Sequence, residues 1–218
     1  MDSYQNRALL HNLYTLRALG VEYIDPITIN EPSSIELPTN FNDLKETAQT
    51  CHLCDLSKSR KEVIFGEGDQ NSDIMFITDH VCSATDDSGT FFAGRTGELL
   101  TNMVQNVLGK DISSIYITHA LKCKPPLDTQ PNSTQLMSCK PYLLREIEII
   151  QPRLIITLGE TSYYYLTGDN SDLMQIHGQQ INKTHYTIIP TFHPSFLLRN
   201  PSMKMLAFND LKIIKALL

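Results

Sequence analysis

Ser114-Ile115-Tyr116-Ile117-Thr118 is a run of apolar and β-branched side chains, and its reading decides the fold. It does not alternate between polar and apolar residues, which suits a strand buried on both faces rather than one with a wet side. Three further runs share this character: Ile74-Met75-Phe76-Ile77, Leu154-Ile155-Ile156-Thr157-Leu158 and Tyr186-Thr187-Ile188-Ile189-Pro190. Helical patterns fill the intervals at 42–49, 94–108 and 134–150, and a last helix over 205–218 closes the chain. Residues 179–181 are expected to pair with the fourth strand across Asn182-Lys183-Thr184. Strands alternating with helices predict an α/β fold, a central mostly parallel sheet flanked by helices. In such a sheet ligands sit beyond the carboxyl ends of the strands, so the residues that follow each run are the first to inspect for chemistry.

Upstream, residues 4–19 place Leu9, Leu10, Leu13, Leu16 and Leu19 near one helical face, and Gly20 follows as a stop. Residues 21–40 carry Pro26, Pro32 and Pro38. Proline lacks the amide donor that a helix interior or central strand needs, so this stretch reads as an extended linker. The expected division is an N-terminal helix with a proline-containing linker at 1–40 and a main domain at 41–218. The helical arm either covers the core or docks a protein partner. Of the 218 residues 41% are hydrophobic, enough to bury a full core. No apolar run approaches the roughly 20 residues that cross a bilayer. Met1-Asp2-Ser3-Tyr4-Gln5 lacks a charged region ahead of an apolar core. The expectation is therefore a cytoplasmic monomer with no membrane association. A net charge of −6 excludes a generally basic nucleic-acid coat protein, but not a local patch that neutralises a few phosphates.

Five cysteines in a chain of this size read as metal ligands plus a spare rather than as disulfides. Cys51 and Cys54 form a C-x-x-C pair that can grip a metal from one tight turn. Cys123 and Cys139 stand far along the chain, separated by a segment stiffened by Pro125, Pro126 and Pro131, with Cys139 early in a helix. Four thiolates suit zinc or an iron–sulfur cluster, and spacing alone tilts slightly to zinc. Cys82 has no partner at ligand spacing.

Several ordered motifs give the chain a family likeness from about residue 47 onward. They are Cys51-His52-Leu53-Cys54-Asp55-Leu56 with Arg60, Phe65-Gly66-Glu67-Gly68, and the stretch Thr90-Phe91-Phe92-Ala93-Gly94-Arg95-Thr96-Gly97. Tyr116-Ile117-Thr118-His119-Ala120-Leu121-Lys122-Cys123-Lys124-Pro125-Pro126, Cys139-Lys140-Pro141-Tyr142-Leu143, Leu158-Gly159 and Thr191-Phe192-His193-Pro194-Ser195-Phe196-Leu197-Leu198-Arg199 follow in order. Together they resemble the family-four uracil-DNA glycosylases. The resemblance implies the uracil-DNA glycosylase fold for residues 41–218 and turns the metal from zinc to a [4Fe-4S] cluster on Cys51, Cys54, Cys123 and Cys139. It also implies a DNA partner containing uracil or another damaged base, flipped into a pocket. Phe92 would stack on the base. His193 would stabilise the negative charge that develops on the departing base. Ser195 would contact a phosphate, and Leu197 or Leu198 would fill the gap left by the extruded nucleotide. Arg199, Lys122, Lys124, Arg95 and the Lys58-Arg60-Lys61 run are candidates for phosphate contacts.

The departures from the family pattern fall where its chemistry should be. A glycine-rich first motif is replaced by Thr78-Asp79-His80-Val81-Cys82, in which Asp79 keeps a carboxylate one methylene shorter than the family's glutamate. A backbone turn that needs positive φ is expected to be remodelled here. His119 stands where the family has asparagine, and His177 where it commonly has arginine. Asp79, His80, His119 and His193 are the catalytic candidates, because histidine can act as base or anion stabiliser near neutral pH. Three readings follow: a uracil-DNA glycosylase with altered roles for Asp79, His80 or His119, a glycosylase for another damaged base, and a cluster-bearing DNA-binding module with little activity. The first is preferred, since added histidines point to chemistry rather than decay.

Overall fold

A computed structural model describes residues 36–126 and 129–218. The helix expected at 4–19, most of its linker, and Leu127 and Asp128 lie outside the described residues. Leu37–Leu218 form one compact unit. Its strands are β1 (Glu67–Gly68), β2 (Ile74–His80), β3 (Tyr116–Leu121), β4 (Leu154–Leu158), β5 (Ile181–Asn182) and β6 (Thr187–Thr191), in the sheet order β1-β3-β2-β4-β6-β5. Strands β2, β3, β4 and β6 run parallel, while β1 and β5 are short antiparallel edges on β3 and β6. The expected hairpin is present in a shifted register, with Ile181 opposite Ile188.

The helices are α1 (Phe41–Gln49), α2 (Ser83–Ser88), α3 (Gly94–Asn102, prolonged by a π-helical turn over Met103–Leu108), α4 (Ser133–Ile150), α5 (Glu160–Thr167), α6 (Leu173–Ile176), α7 (Pro194–Arg199) and α8 (Lys204–Ala216). They cover both faces of the sheet, which is why β3 and β4 are buried at every position. On one face Phe76, Ile117, Ile156 and Ile189 pack with Val104 and Leu108 and with Leu211 and Ile214 of α8. On the other, Met75, Ile77, Tyr116, Ile155 and Ile188 pack with Leu143 and Ile147 of α4 and with Tyr163 and Leu166 of α5. Each such side chain fully buried contributes about 1.5–3 kcal/mol. No helix among the described residues is long and apolar enough to cross a membrane.

Helix α4 starts on a capping box, in which Asn132 accepts from the Gln135 amide at 2.8 Å and Gln135 accepts from the Asn132 amide at 2.9 Å. The Gln135 side-chain amide also donates to Asp55 at 3.0 Å, tying the start of α4 to the C-x-x-C turn. One charged residue breaks the apolar face of α4. Glu146 is fully buried and accepts from Tyr116, Thr118 and the Lys122 ammonium.

Candidate active site

The ends of four parallel strands bring the chemistry together. Asp79 and His80 end β2, His119 lies in β3, Gly159 follows β4, and His193 comes two residues after β6. All but His119 line a cavity of about 530 Å³ whose walls also include Glu160, Phe196 and Arg199. Behind it lies a smaller space of about 50 Å³ bounded by Thr78, Phe91 and His119. His80, Cys82, Thr96 and His193 line both.

Gly159 permits this convergence. Its φ is +98°, and a Cβ there would stand 3.3 Å from His193 Cβ and 3.4 Å from Asp79 Oδ2. Any side chain would meet both a strained backbone and the two walls of the site. The chain then turns into α5, whose Ser162 amide donates to Asp79 Oδ1 at 2.9 Å. Burial nevertheless pushes the Asp79 carboxyl up to about 7; the Ser162 hydrogen bonds work against the rise and Glu160 adds to it.

His193 is the N-cap of α7. The Ser195 amide, which can only donate, points at Nδ1 at 3.1 Å, and the Ser195 hydroxyl stands 2.7 Å from the same nitrogen. Nδ1 must therefore accept, which leaves the proton of the neutral ring on Nε2, 2.8 Å from Thr78 Oγ1. Burial, with His80 and Arg199 adding to it, lowers the His193 pKa to about 4, so the imidazole is neutral at ordinary pH.

His119 is 3% exposed, and neither of its ring nitrogens has a hydrogen-bond partner among the described residues. Its ring stacks on Phe91 with centroids 4.2 Å apart and planes at 27°. Burial first, then Lys122, His80 and His193, hold its pKa well below the usual histidine value. A neutral imidazole on a pocket wall offers one donor and one acceptor to an incoming group.

The sequence profile of the uracil DNA glycosylase superfamily matches residues 65–213. The type-4 uracil-DNA glycosylase of Saccharolobus solfataricus is 34% identical over 184 residues, which span 81% of this chain and 85% of that protein. The type-4 uracil-DNA glycosylase of Sulfurisphaera tokodaii is 33% identical over 186 residues, 82% and 84% of the two chains. That of Thermotoga maritima is 32% identical over 177 residues, 79% and 92%. This chain belongs to the type-4 branch of the uracil-DNA glycosylase superfamily.

The segment Thr78 to Cys82, where a remodelled turn is expected, has a simple form. Strand β2 continues to His80, Val81 is buried in the core, and α2 starts at Ser83. The segment contains no positive φ, so no glycine is needed in it. The structure brings Asp79, His80, His119 and His193 around one site and puts the other candidates in varied surroundings. Phe92 lines neither cavity. Its backbone lies where a Cβ on Gly97 would be, 2.1 Å away, and it packs against the core, while Phe91 lines the smaller space. Leu197 is 1% exposed and belongs to the core, leaving half-buried Leu198 as the wedge candidate. Lys122 is 2% exposed and is paired with Glu146, so it reaches no phosphate; its ammonium also donates to the His119 carbonyl at 2.8 Å. Lys124 stands 3.9 Å from Asp86 and keeps a quarter of its side chain exposed. Arg199 is exposed on the wall of the larger cavity. Ser195 lines that cavity with its hydroxyl turned to His193.

The sequence reading missed Phe91, Thr78, Ser162 and the Lys122–Glu146 pair. Only the pair left a signal, a glutamate in register with Leu143, Ile147 and Ile150 on the apolar face of α4.

The thiols gather on the far side of β3. Burial raises the Cys123 thiol, Arg60 opposes the rise, and Cys54 and Cys51 add to it. Cys139 is pushed up to about 12 by burial, with Cys123 and Cys51 contributing. The Lys122 amide donates to Cys139 Sγ at 3.5 Å, and Arg60 Nη1 lies 3.8 Å from Cys123 Sγ. Cys82 is exposed beside the active-site cavity, apart from this group. Among the described residues no three cysteine, histidine or acidic side chains are placed to share a single metal ion.

Proposed function

We propose that this chain is a uracil-DNA glycosylase of base excision repair, which flips uracil out of DNA and hydrolyses its N-glycosidic bond. The observation that carries the reading is His193, whose Nδ1 is committed to Ser195 so that a neutral ring presents Nε2–H at the active-site wall. As the C1′–N1 bond breaks, its electron pair moves onto the base and positive character grows on the sugar. The Nε2–H can swing from Thr78 to the base oxygen that gathers this charge. Asp79 on the facing wall orients a water toward C1′ and, when ionised, accepts its proton. Phe91 and His119 form the wall against which the base rests, with His119 supplying a hydrogen bond to its edge and His80 completing the rim. Arg199, Lys124 and Arg95 supply phosphate contacts, and Leu198 enters the stack. The residues of this reading all lie in the unit Leu37–Leu218.

The thiol set fits a [4Fe-4S] cluster held by Cys51, Cys54, Cys123 and Cys139. Four buried or half-buried thiols feel one another, two of them face N–H donors, and a shared charge with irons would relieve their cost of ionising. Cys51, Cys54, Cys123 and Cys139 would hold the cluster, a donor set whose thiolate chemistry suits iron. The cluster, when bound, supplies a cross-link between the C-x-x-C turn, the exit of β3 and α4, and the base chemistry stays with the side chains of the cavity.

The test is incubation of purified holo-protein with single- and double-stranded DNA containing uracil, followed by alkali to reveal abasic sites. Strand cleavage that vanishes in His193→Ala is expected. Release of a different damaged base with uracil untouched, or DNA binding with no base release, would overturn the assignment.

A further inference from the structure

In sequence Arg60 belongs to a basic run, yet its guanidinium turns inward. Nη2 donates to the Gln49 carbonyl at 3.0 Å and Nη1 to the Cys51 carbonyl at 2.7 Å. The same Nη1 stands 3.8 Å from Cys123 Sγ. Gln49 ends α1, Cys51 opens the C-x-x-C turn and Cys123 lies just past β3, so one planar group spans three segments. The second N–H donor to a sulfur of this set, from Lys122 to Cys139, is a neutral backbone amide. Arg60 thus brings a formal charge to a thiol of the group, and the two carbonyls fix where that charge sits.

The potential of an iron–sulfur centre follows its net charge, the hydrogen bonds to its sulfurs and its exposure. Gaining one electron makes the centre more negative by one charge. A fixed cation donating to a ligand sulfur stabilises that state more than the oxidised one. Lysine can keep the charge but cannot span three acceptors with a planar fork.

We propose that Arg60 is a positioning residue of the metal centre that clamps the Cys51 turn to Cys123 and raises the reduction potential of the cluster. This rests on the iron–sulfur reading above. The electron is external, one per cluster from a chemical titrant such as dithionite, and no proton or group transfer accompanies it.

The experiment uses the full holo-protein as wild type, Arg60→Gln and Arg60→Lys. Iron per chain, absorbance near about 400 nm and the midpoint of an anaerobic redox titration are read on each. In Arg60→Gln the reduction equilibrium should move about tenfold toward the oxidised cluster, 59 mV lower for one electron. Arg60→Lys should lie between Arg60→Gln and wild type. Arg60→Gln with full iron and the wild-type midpoint overturns the proposal, as does a wild-type cluster that takes up no electron. If Arg60→Gln loses its iron, Arg60→Lys decides, and a wild-type midpoint in that variant overturns it too. Wild-type protein without iron would instead overturn the iron–sulfur reading itself, an outcome visible before any titration.

Discussion

Replacing Asp79 with asparagine should abolish activity and, at pH 8, make the protein more stable. The carboxyl ionises near 7 in the folded chain, against an ordinary value of 3.8. Below about pH 4 both folded and unfolded chains hold the proton, and the group adds no pH dependence. Between the two values the folded chain keeps a proton that the unfolded chain has released. Stability therefore falls as pH rises from about 4 to about 7 and levels off above. Three units at 1.36 kcal/mol each set a ceiling of about 4 kcal/mol, and the part of the group open to the cavity reduces this to about 2 kcal/mol. Asparagine removes the charge and retains an acceptor for the Ser162 amide. Urea denaturation should then show Asp79→Asn more stable than wild type by about 2 kcal/mol at pH 8 and nearly equal to it at pH 4. In parallel, kcat/KM of the wild type should climb about tenfold between pH 6 and pH 8, as the ionised fraction goes from about one-tenth to nine-tenths. A wild-type profile flat through pH 7, or a variant that gains nothing on going from pH 4 to pH 8, refutes the role and the burial argument together.

His193→Ala should lower kcat by about 10²–10³, the loss typical of one donor to a developing anion, with a smaller change in DNA affinity measured by anisotropy. Glu146→Gln should cost about 3–5 kcal/mol because it strands the buried Lys122 ammonium, whereas Glu146→Leu combined with Lys122→Met should recover most of that loss in chemical denaturation. Leu197→Ala should cost about 2–5 kcal/mol as a core cavity. Leu198→Ala should leave stability nearly unchanged and weaken binding to uracil-containing duplex, which gel-shift titration reads. Asp87→Asn frees Lys61 from a surface pair 2.6 Å long, so DNA affinity at low salt should rise and the slope of log K against log salt should steepen by about 1.

The parallel sheet was legible because strands buried on both faces announce themselves as unbroken apolar runs, and the motifs at their ends carry Asp79, His119 and His193, which the fold brings near one another. The short helices α2, α5, α6 and α7 were not legible, since four to eight residues carry too little periodicity and their caps act through tertiary contacts. Which of two adjacent aromatics faces the cavity depends on the backbone of 90–97. Glu67 fixes it by accepting from Thr90 Oγ1 at 2.8 Å and from the Phe91 amide at 3.2 Å. Lys122 read as a surface cation because its partner lies 24 residues away on a helix, beyond any local pattern. Arg60 was misread for the same reason, its acceptors being carbonyls that leave no trace in side-chain chemistry.

Among the described residues the two ring nitrogens of His119 meet no protein partner, so the fold by itself does not pair them. A buried polar atom left without a partner costs about 1–3 kcal/mol. That tension is released when a heterocycle with a matching edge slides in beside Phe91. The guest then behaves as the last piece of the hydrophobic core, and fit to the lesion and firmness of the folded protein become two faces of one equilibrium.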